Sequence, residues 1–207
     1  MATYGDLQSR IIDETQREDL QTQIQACIQT AIAYYQQDSF YQSDTVASIT
    51  PTQGVQSYTL PTDFVWMRNV FITFNGTRYP LRCVTYEFLL SEDDNTTDPV
   101  QGSPVDYALF GNSIYIFPRP DSSTSYSMMY DYVNAPAAPS ADSDSDFWTN
   151  AAEAMVRNRA KFLLYTDVLG QPDLGAVFKA RADEEHQQLR EQSAMRKWTS
   201  SILTPRF

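Results

Sequence analysis

Glycine is scarce in this chain of 207 residues, with seven in all, and so are cysteine, with two, and histidine, with one. Each shortage excludes a class of chemistry. The scattered glycines form neither GxGxxG nor GxxxxGK, so no phosphate-cradling turn is written into the chain. The single histidine, His186, rules out every two-histidine metal motif, and a Ser-His-Asp triad would depend on a residue flanked by Glu184, Glu185 and Gln187. Asp183 and His186 have the i, i+3 spacing of a carboxylate–histidine metal pair, but a di-iron bundle needs that unit twice. The expected setting of His186 is a solvated helix face. Cys27 and Cys83 lack CxxC spacing and read as small hydrophobes rather than a disulfide or a metal pair. Long apolar runs are also missing. The best candidates, Phe88 to Leu90 and Phe162 to Tyr165, fall far short of the ~20 residues that span a bilayer. Met1 to Ile12 shows no basic segment followed by an apolar stretch, so the expectation is synthesis in a cytosol without a secretory signal. Positive charge is in deficit too. Fifteen basic against 26 acidic residues leave a formal charge of −11, which repels DNA phosphates and anionic membranes and argues against sequence-specific nucleic-acid binding. Glu92, Asp93 and Asp94 are dense enough for glycosidase carboxylates, yet adjacent residues in a loop do not fix the ~5 to 9 Å separation such chemistry needs. No catalytic, metal or cofactor-binding residue is assigned, and no cofactor is expected.

What the chain has in quantity is core-forming side chains. Thirteen Tyr and 11 Phe in a chain of this length can build a sizeable core without disulfides or metals. Thr3 and Asp6 resemble a capping box, and Tyr4, Leu7 and Ile11 then repeat at helical spacing, predicting a first helix to about Thr15. Leu20, Ile24, Cys27, Ile28, Ala31, Ile32 and Tyr35 predict a second helix. From Phe40 the period changes to two. Asn75-Gly76 between Val70 to Phe74 and Arg78 to Leu81 predicts a type I′ hairpin, because both turn positions need positive φ. Gly111-Asn112 predicts a second hairpin, and Tyr126 to Val133 a following half-buried strand. Thr85 to Leu90 can form a short capped helix. Asn150 with Glu153 is a capping-box candidate for a third long helix ending at Leu169 before Gly170, and a fourth follows Pro172 with Leu174, Phe178, Ala182 and Leu189 on one face.

The fold expected from this pattern is α+β: a four-helix layer made of N- and C-terminal helical hairpins, with an inserted small antiparallel β domain and a C-terminal tail. The corresponding domains are an N-terminal hairpin over 1–38, the β-rich insertion over 39–134, a Pro/Ala/Ser/Asp linker over 135–149, a C-terminal hairpin over 150–197 packing with 1–38, and a tail over 198–207. Gln21, Gln25 and Gln29 line the outer face of the second helix. That face is either plain solvated surface or a contact between identical subunits, where repeated like charges would repel. Arg157, Arg159 and Lys161 form a basic cluster that either pairs with local acids or meets the acidic fourth helix of a neighbouring copy. Trp198, Ile202, Leu203, Arg206 and Phe207 lie beyond the last periodic helix, and such anchors suit docking onto a partner as well as they suit a disordered end.

Thr3-Tyr4-Gly5-Asp6-Leu7, Tyr58-Thr59-Leu60-Pro61-Thr62-Asp63-Phe64 and Asp146-Phe147-Trp148 together resemble the tailed-phage head-to-tail adaptor family. The resemblance covers nearly the whole chain in element order, and its motifs are short and structural. It implies a virion protein of the neck, made in the host cytoplasm, forming a ring of about twelve copies of one subunit. That ring would dock under the portal protein, let double-stranded DNA pass through its lumen, and present a lower face to tail or nozzle proteins. The family's C-terminal grip on the portal maps by position alone onto Trp198 to Phe207. A glycan-binding or glycan-hydrolysing module of a tail apparatus is the alternative, with exposed Tyr and Trp stacking on sugars.

Overall fold

The computed structural model describes residues 1–93, 98–122 and 125–199, with side chains up to Arg196. Among these residues are five α-helices: α1 (Tyr4–Thr15), α2 (Gln21–Tyr35), α3 (Tyr86–Glu92), α4 (Glu153–Leu163) and α5 (Pro172–Thr199). Ten strands accompany them: β1 (Asp44–Ile49), β2 (Ser57–Thr59), β3 (Phe64–Phe74), β4 (Thr77–Pro80), β5 (Arg82–Cys83), β6 (Gln101–Gly102), β7 (Asp106–Phe110), β8 (Ser113–Phe117), β9 (Arg119–Pro120) and β10 (Tyr126–Asn134). The chain folds as two compact units, a helical one from Met1–Ser43 and Ala135–Phe207 and a β-rich one from Asp44–Asn134.

The helical unit starts at a reciprocal cap. The Asp6 amide donates to Thr3 Oγ1 at 3.2 Å and the Thr3 amide donates to Asp6 Oδ2 at 2.9 Å. This satisfies two of the donors that the start of α1 leaves without an intrahelical partner. The Thr3 amide also holds the Asp6 carboxyl below its ordinary value. Leu7, Ile11, Ile24, Ile28 and Ile32 are fully buried, each worth about 1.5 to 3 kcal/mol of transfer free energy. They share one core with Tyr35, Phe40, Phe147, Trp148, Met155, Val156 and Leu164.

The expected four-helix layer of two hairpins does not form. α4 has no exposed residue anywhere along its length, so it is enclosed by α1, α2 and α5 instead of offering one stripe to a layer. It also leaves α-geometry at its end, running into a π-helical turn at Leu164–Val168 that precedes the left-handed Gly170. The residues from Phe162 to Tyr165, apolar nearly all round, have neighbours on several sides. Nor does Asn150 cap α4. Its side chain bonds to Ser145 and to the Asp146 carbonyl, while Asp146 and Thr149 cap one another across the preceding turn.

The segment expected as a linker, residues 135–149, lies as a strap along α1 and α2. Gln36 donates to the Pro136 carbonyl at 2.8 Å, Gln29 to the Pro139 carbonyl at 2.7 Å and Gln8 to Asp142 Oδ1 at 2.8 Å. The Tyr4 and Gly5 amides donate to the Asp144 and Asp142 carbonyls, and the Trp148 indole to Pro136. A Cβ on Gly5 would sit 3.3 Å from the Asp142 backbone, which favours glycine there. Proline-rich chain cannot supply its own ladder, so glutamine side chains and amides at the start of α1 satisfy its carbonyls.

The β-rich unit likewise departs from one small antiparallel sheet. It holds a four-stranded antiparallel sheet in the order β1-β10-β3-β4, a mixed four-stranded sheet in the order β2-β8-β7-β5, and the pair β6-β9. Two of the pairings, β5 with β7 and β6 with β9, are parallel. Asn75 at φ 50° and Gly76 at φ 76° form the expected tight turn between β3 and β4. Val70, Ile72, Met128, Tyr130 and Tyr132 from the first sheet and Tyr107, Ile114 and Ile116 from the second share one core with Leu60 and Leu81 of the connecting segments, as facing sheets do. α3 opens with the Phe88 amide donating to Thr85 Oγ1 at 3.3 Å.

Candidate functional site

Each side chain singled out in the sequence has a definite place. Lys161 is buried within α4, with 6% of its side chain exposed, and its ammonium meets Glu14 Oε2 at the end of α1. Arg157 Nη1 reaches the other oxygen of the same carboxylate at 2.6 Å, and its Nε lies 3.4 Å from Glu153. Glu14 thus joins α1 to α4 through two cations. Lys161 also lies over the Phe178 ring of α5 at 4.3 Å, while the Arg159 guanidinium covers Tyr34 at 4.0 Å and Phe162 at 5.2 Å. The basic cluster therefore ties helices together inside one subunit.

The glutamine face is divided. Gln21 is exposed, whereas Gln25 donates to Gln8 and Gln29 to Pro139 and the Tyr4 hydroxyl. Of the tail residues, Trp198 falls on the α5 backbone, which continues to Thr199. Its side chain, together with Ile202, Leu203, Arg206 and Phe207, lies outside the described residues.

His186 is not on a solvated face. Its side chain is 19% exposed, with Nε2 2.9 Å from Asp38 Oδ2 but not aligned for a hydrogen bond, and its ring packs against Tyr35 and Phe40. The Tyr35 hydroxyl beside it has no hydrogen-bond partner, and burial pushes that phenol up to about 12. A depression of about 450 Å³ is lined by His186, Gln187, Arg190, Glu191 and Ala194, all from α5, so no second element brings chemistry to it. Among the described residues no three His, Cys, Asp or Glu side chains are gathered to hold a metal.

Of the acidic run, Asp94 lies outside the described residues and Asp93 is buried, its Oδ2 accepting from Arg119 at 2.7 and 3.0 Å. Arg82 grips Asp106 by a two-point contact at 2.8 and 2.9 Å. Both pairs brace the β-rich unit. Their spacings of 26 and 24 residues gave no signal in the sequence. Cys27 and Cys83 are free thiols, the first pushed up by burial. No helix among the described residues is long and apolar enough to cross a membrane.

Charged and amide groups in this chain hold helices, strap and sheets together, and open helix faces and strand edges remain on the surface. The chain matches the family described as SU10 adaptor protein over residues 2–205, and it belongs to that family. It is accordingly a phage structural adaptor protein. No curated protein sequence matches it.

Proposed function

We propose that the chain forms a ring of about twelve copies beneath a phage portal, extending the DNA channel and attaching tail proteins below. The carrying observation is the match to the adaptor family from residue 2 to 205. The role is structural and not enzymatic, in the neck of a virion whose parts are made in the host cytoplasm. A formal charge of −11 supports a lumen wall that repels passing DNA instead of holding it. Copies meet partly through the exposed side of α2 at Gln21. The segment from Trp198 to Phe207 grips the portal, ordering about ten residues as it binds.

Native mass determination of the chain alone and with portal tests the reading. A portal-dependent ring is expected. A stable monomer that binds saccharide would instead favour a glycan-acting tail module. Deleting the residues after Lys197 should preserve folding and abolish attachment, and Phe207→Ala alone should weaken docking by about 1 to 3 kcal/mol if the ring fills a pocket. Unchanged affinity of the truncated chain would remove the tail as the anchor.

A further inference from the structure

A groove crosses the outer side of the strap over 135–149. It has a volume of about 520 Å³ and is lined by Pro136, Ala137, Pro139, Asp144, Asp146 and Phe147 among others, so it offers apolar side chains and carboxylates together. A second hollow of about 310 Å³ shares Asp146 and Phe147 with it and extends the path to Gln42 and Ala151. The whole path lies within the helical unit. Asp142 accepts from Gln8, Asp144 from the Ser140 and Ala141 amides and Asp146 from the Thr149 amide, and all of these partners are uncharged. The strap's carboxylates are therefore hydrogen-bonded but not neutralised.

The chain itself supplies a segment that fits. α5 ends beside the groove, where Tyr41 donates its amide to Ser193 Oγ at 3.3 Å, lies under the Arg196 guanidinium at 4.0 Å and meets the Phe147 ring at 6.3 Å. The chain runs on from Thr199 to Phe207, and those eight residues reach about 26 to 29 Å when extended. The groove is short by comparison. The Phe147 and Trp148 rings lie 5.0 Å apart, and the Trp148 indole donates to the Pro136 carbonyl at 3.2 Å. Charge and side-chain type match as well. Residues 196–207 include three basic and no acidic residue, whereas residues 135–149 include three acidic and no basic one. Ile202, Leu203 and Pro205 suit a wall of proline and alanine. Tethering sets the effective concentration of the segment at the groove on the order of 1 mM, so even a shallow contact is filled by it ahead of a free partner.

We propose that in the free subunit residues 200–207 fold back into this groove, with Arg206 against Asp144 and Asp146, and that the portal takes the segment from there. The first half stands on the groove and the segment alone. The second rests on the reading above that the same segment grips the portal, and makes that grip a displacement. The groove is shallow, so the segment leaves and returns, and full ordering waits for the portal.

Hydrogen exchange on the full chain and on a chain ending at Thr199, both without portal, tests the first half. The Ala137, Ala138 and Ser145 amides should exchange about threefold more slowly in the full chain. Arg206→Glu, and Ala137→Arg at an exposed position, should each remove that slowing with near-UV circular dichroism unchanged. Ala137→Arg should also bind portal about threefold more tightly, because a segment no longer held in the groove is free to dock. Equal exchange in the full and shortened chains overturns the groove contact and leaves the portal grip standing. Slowing that fades on dilution means that a second copy supplies the segment, and overturns it too. Slowing in the full chain, with portal affinity unchanged by the truncation, removes the portal grip and leaves the groove contact standing. An Ala137→Arg chain that loses the slowing yet binds portal no more tightly overturns the displacement. If Ala137→Arg misfolds, Arg206→Glu decides the groove contact, and portal affinity of the full chain against the Arg206→Glu chain is replaced by portal-induced release of the Ala137 and Ala138 amides, whose continued slowing on portal overturns the displacement.

Discussion

A lysine ammonium is retained in a helix interior only with a partner, and Lys161 has one carboxylate, Glu14, which it shares with Arg157. Glu14→Ala should therefore destabilise the fold by about 1 to 3 kcal/mol, more than Arg157→Ala, because it leaves a buried cation unpaired. Adding Lys161→Met should recover much of the loss. Urea midpoints of the three variants and the double variant check this, and additive losses would show that Lys161 does not depend on Glu14. Asp6 and Asp144 carry a second consequence at this scale. Backbone amides hold both carboxyls below the ordinary value of 3.8, those of Thr3 for Asp6 and of Ala141 then Ser140 for Asp144. A lowered folded value means the contribution is complete above 3.8 and is lost as pH falls through the lower folded value. Asp144→Asn should accordingly be less stable than wild type near neutrality and lose less on acidification below 3.8, as read from denaturant midpoints across that range. Parallel acid limbs for the two proteins would rule out Asp144 as a contributor. The capping role of Asp6 was legible from Thr3-x-x-Asp6, since its partners are local. The roles of Asp93, Asp106 and Glu14 were not, since their partners are far along the chain.

At the scale of elements, local chemistry accounts for α1, α2, the β3–β4 hairpin and the left-handed Gly170. Each is set by spacing, caps or turn residues within a few positions. The end of α4 is different. Its π-helical turn brings Thr166 to within 2.5 Å of where a Cβ on Gly175 would lie, with the Phe162 carbonyl at 3.4 Å. Alanine at a helical glycine ordinarily gains up to about 1 kcal/mol. Here Gly175→Ala should instead lose about 1 kcal/mol or more, because the new methyl displaces Thr166 against the turn. Thr166→Ala in the same chain should restore the ordinary gain. Thermal unfolding of both variants checks it, and a stabilised single variant would mean that the turn yields easily. The glutamines of α1 and α2 belong to this scale as well. A face with Gln25 and Gln29 reads as open or intermolecular, but the Gln29 amide binds the strap over 135–149 at the Pro139 carbonyl, and the Gln25 amide binds Gln8, which itself donates to Asp142 of the strap. Only the folded path of that strap reveals its carbonyls as the acceptors.

At the scale of the whole molecule, the β-rich unit leaves and rejoins the helical one through neighbouring strands, since Asp44 and Val133 are register partners on β1 and β10. Their Cα atoms lie about 5 Å apart. Replacing Asp44–Asn134 with a short Gly-Ser bridge should therefore leave the helical unit folded, because its core draws on no residue of the insertion. Cooperative thermal unfolding with native near-UV signal is the expected result, and a molten helical state would show that the core needs the insertion. The sequence by itself determined the elements set by near neighbours: helical periodicity, the capping box, positive-φ turns, an acidic surface and the α+β class. Only the tertiary structure decided that α4 is enclosed rather than layered, that the linker is a strap, that the strands divide into three sheets, and that the basic cluster holds α1 to α4. The physical reason is range. Periodicity and turn chemistry act over a few residues, whereas enclosure, sheet order and ion pairing depend on which distant segments meet. Residues 14 and 161 illustrate that limit, 147 positions apart and joined by one carboxylate.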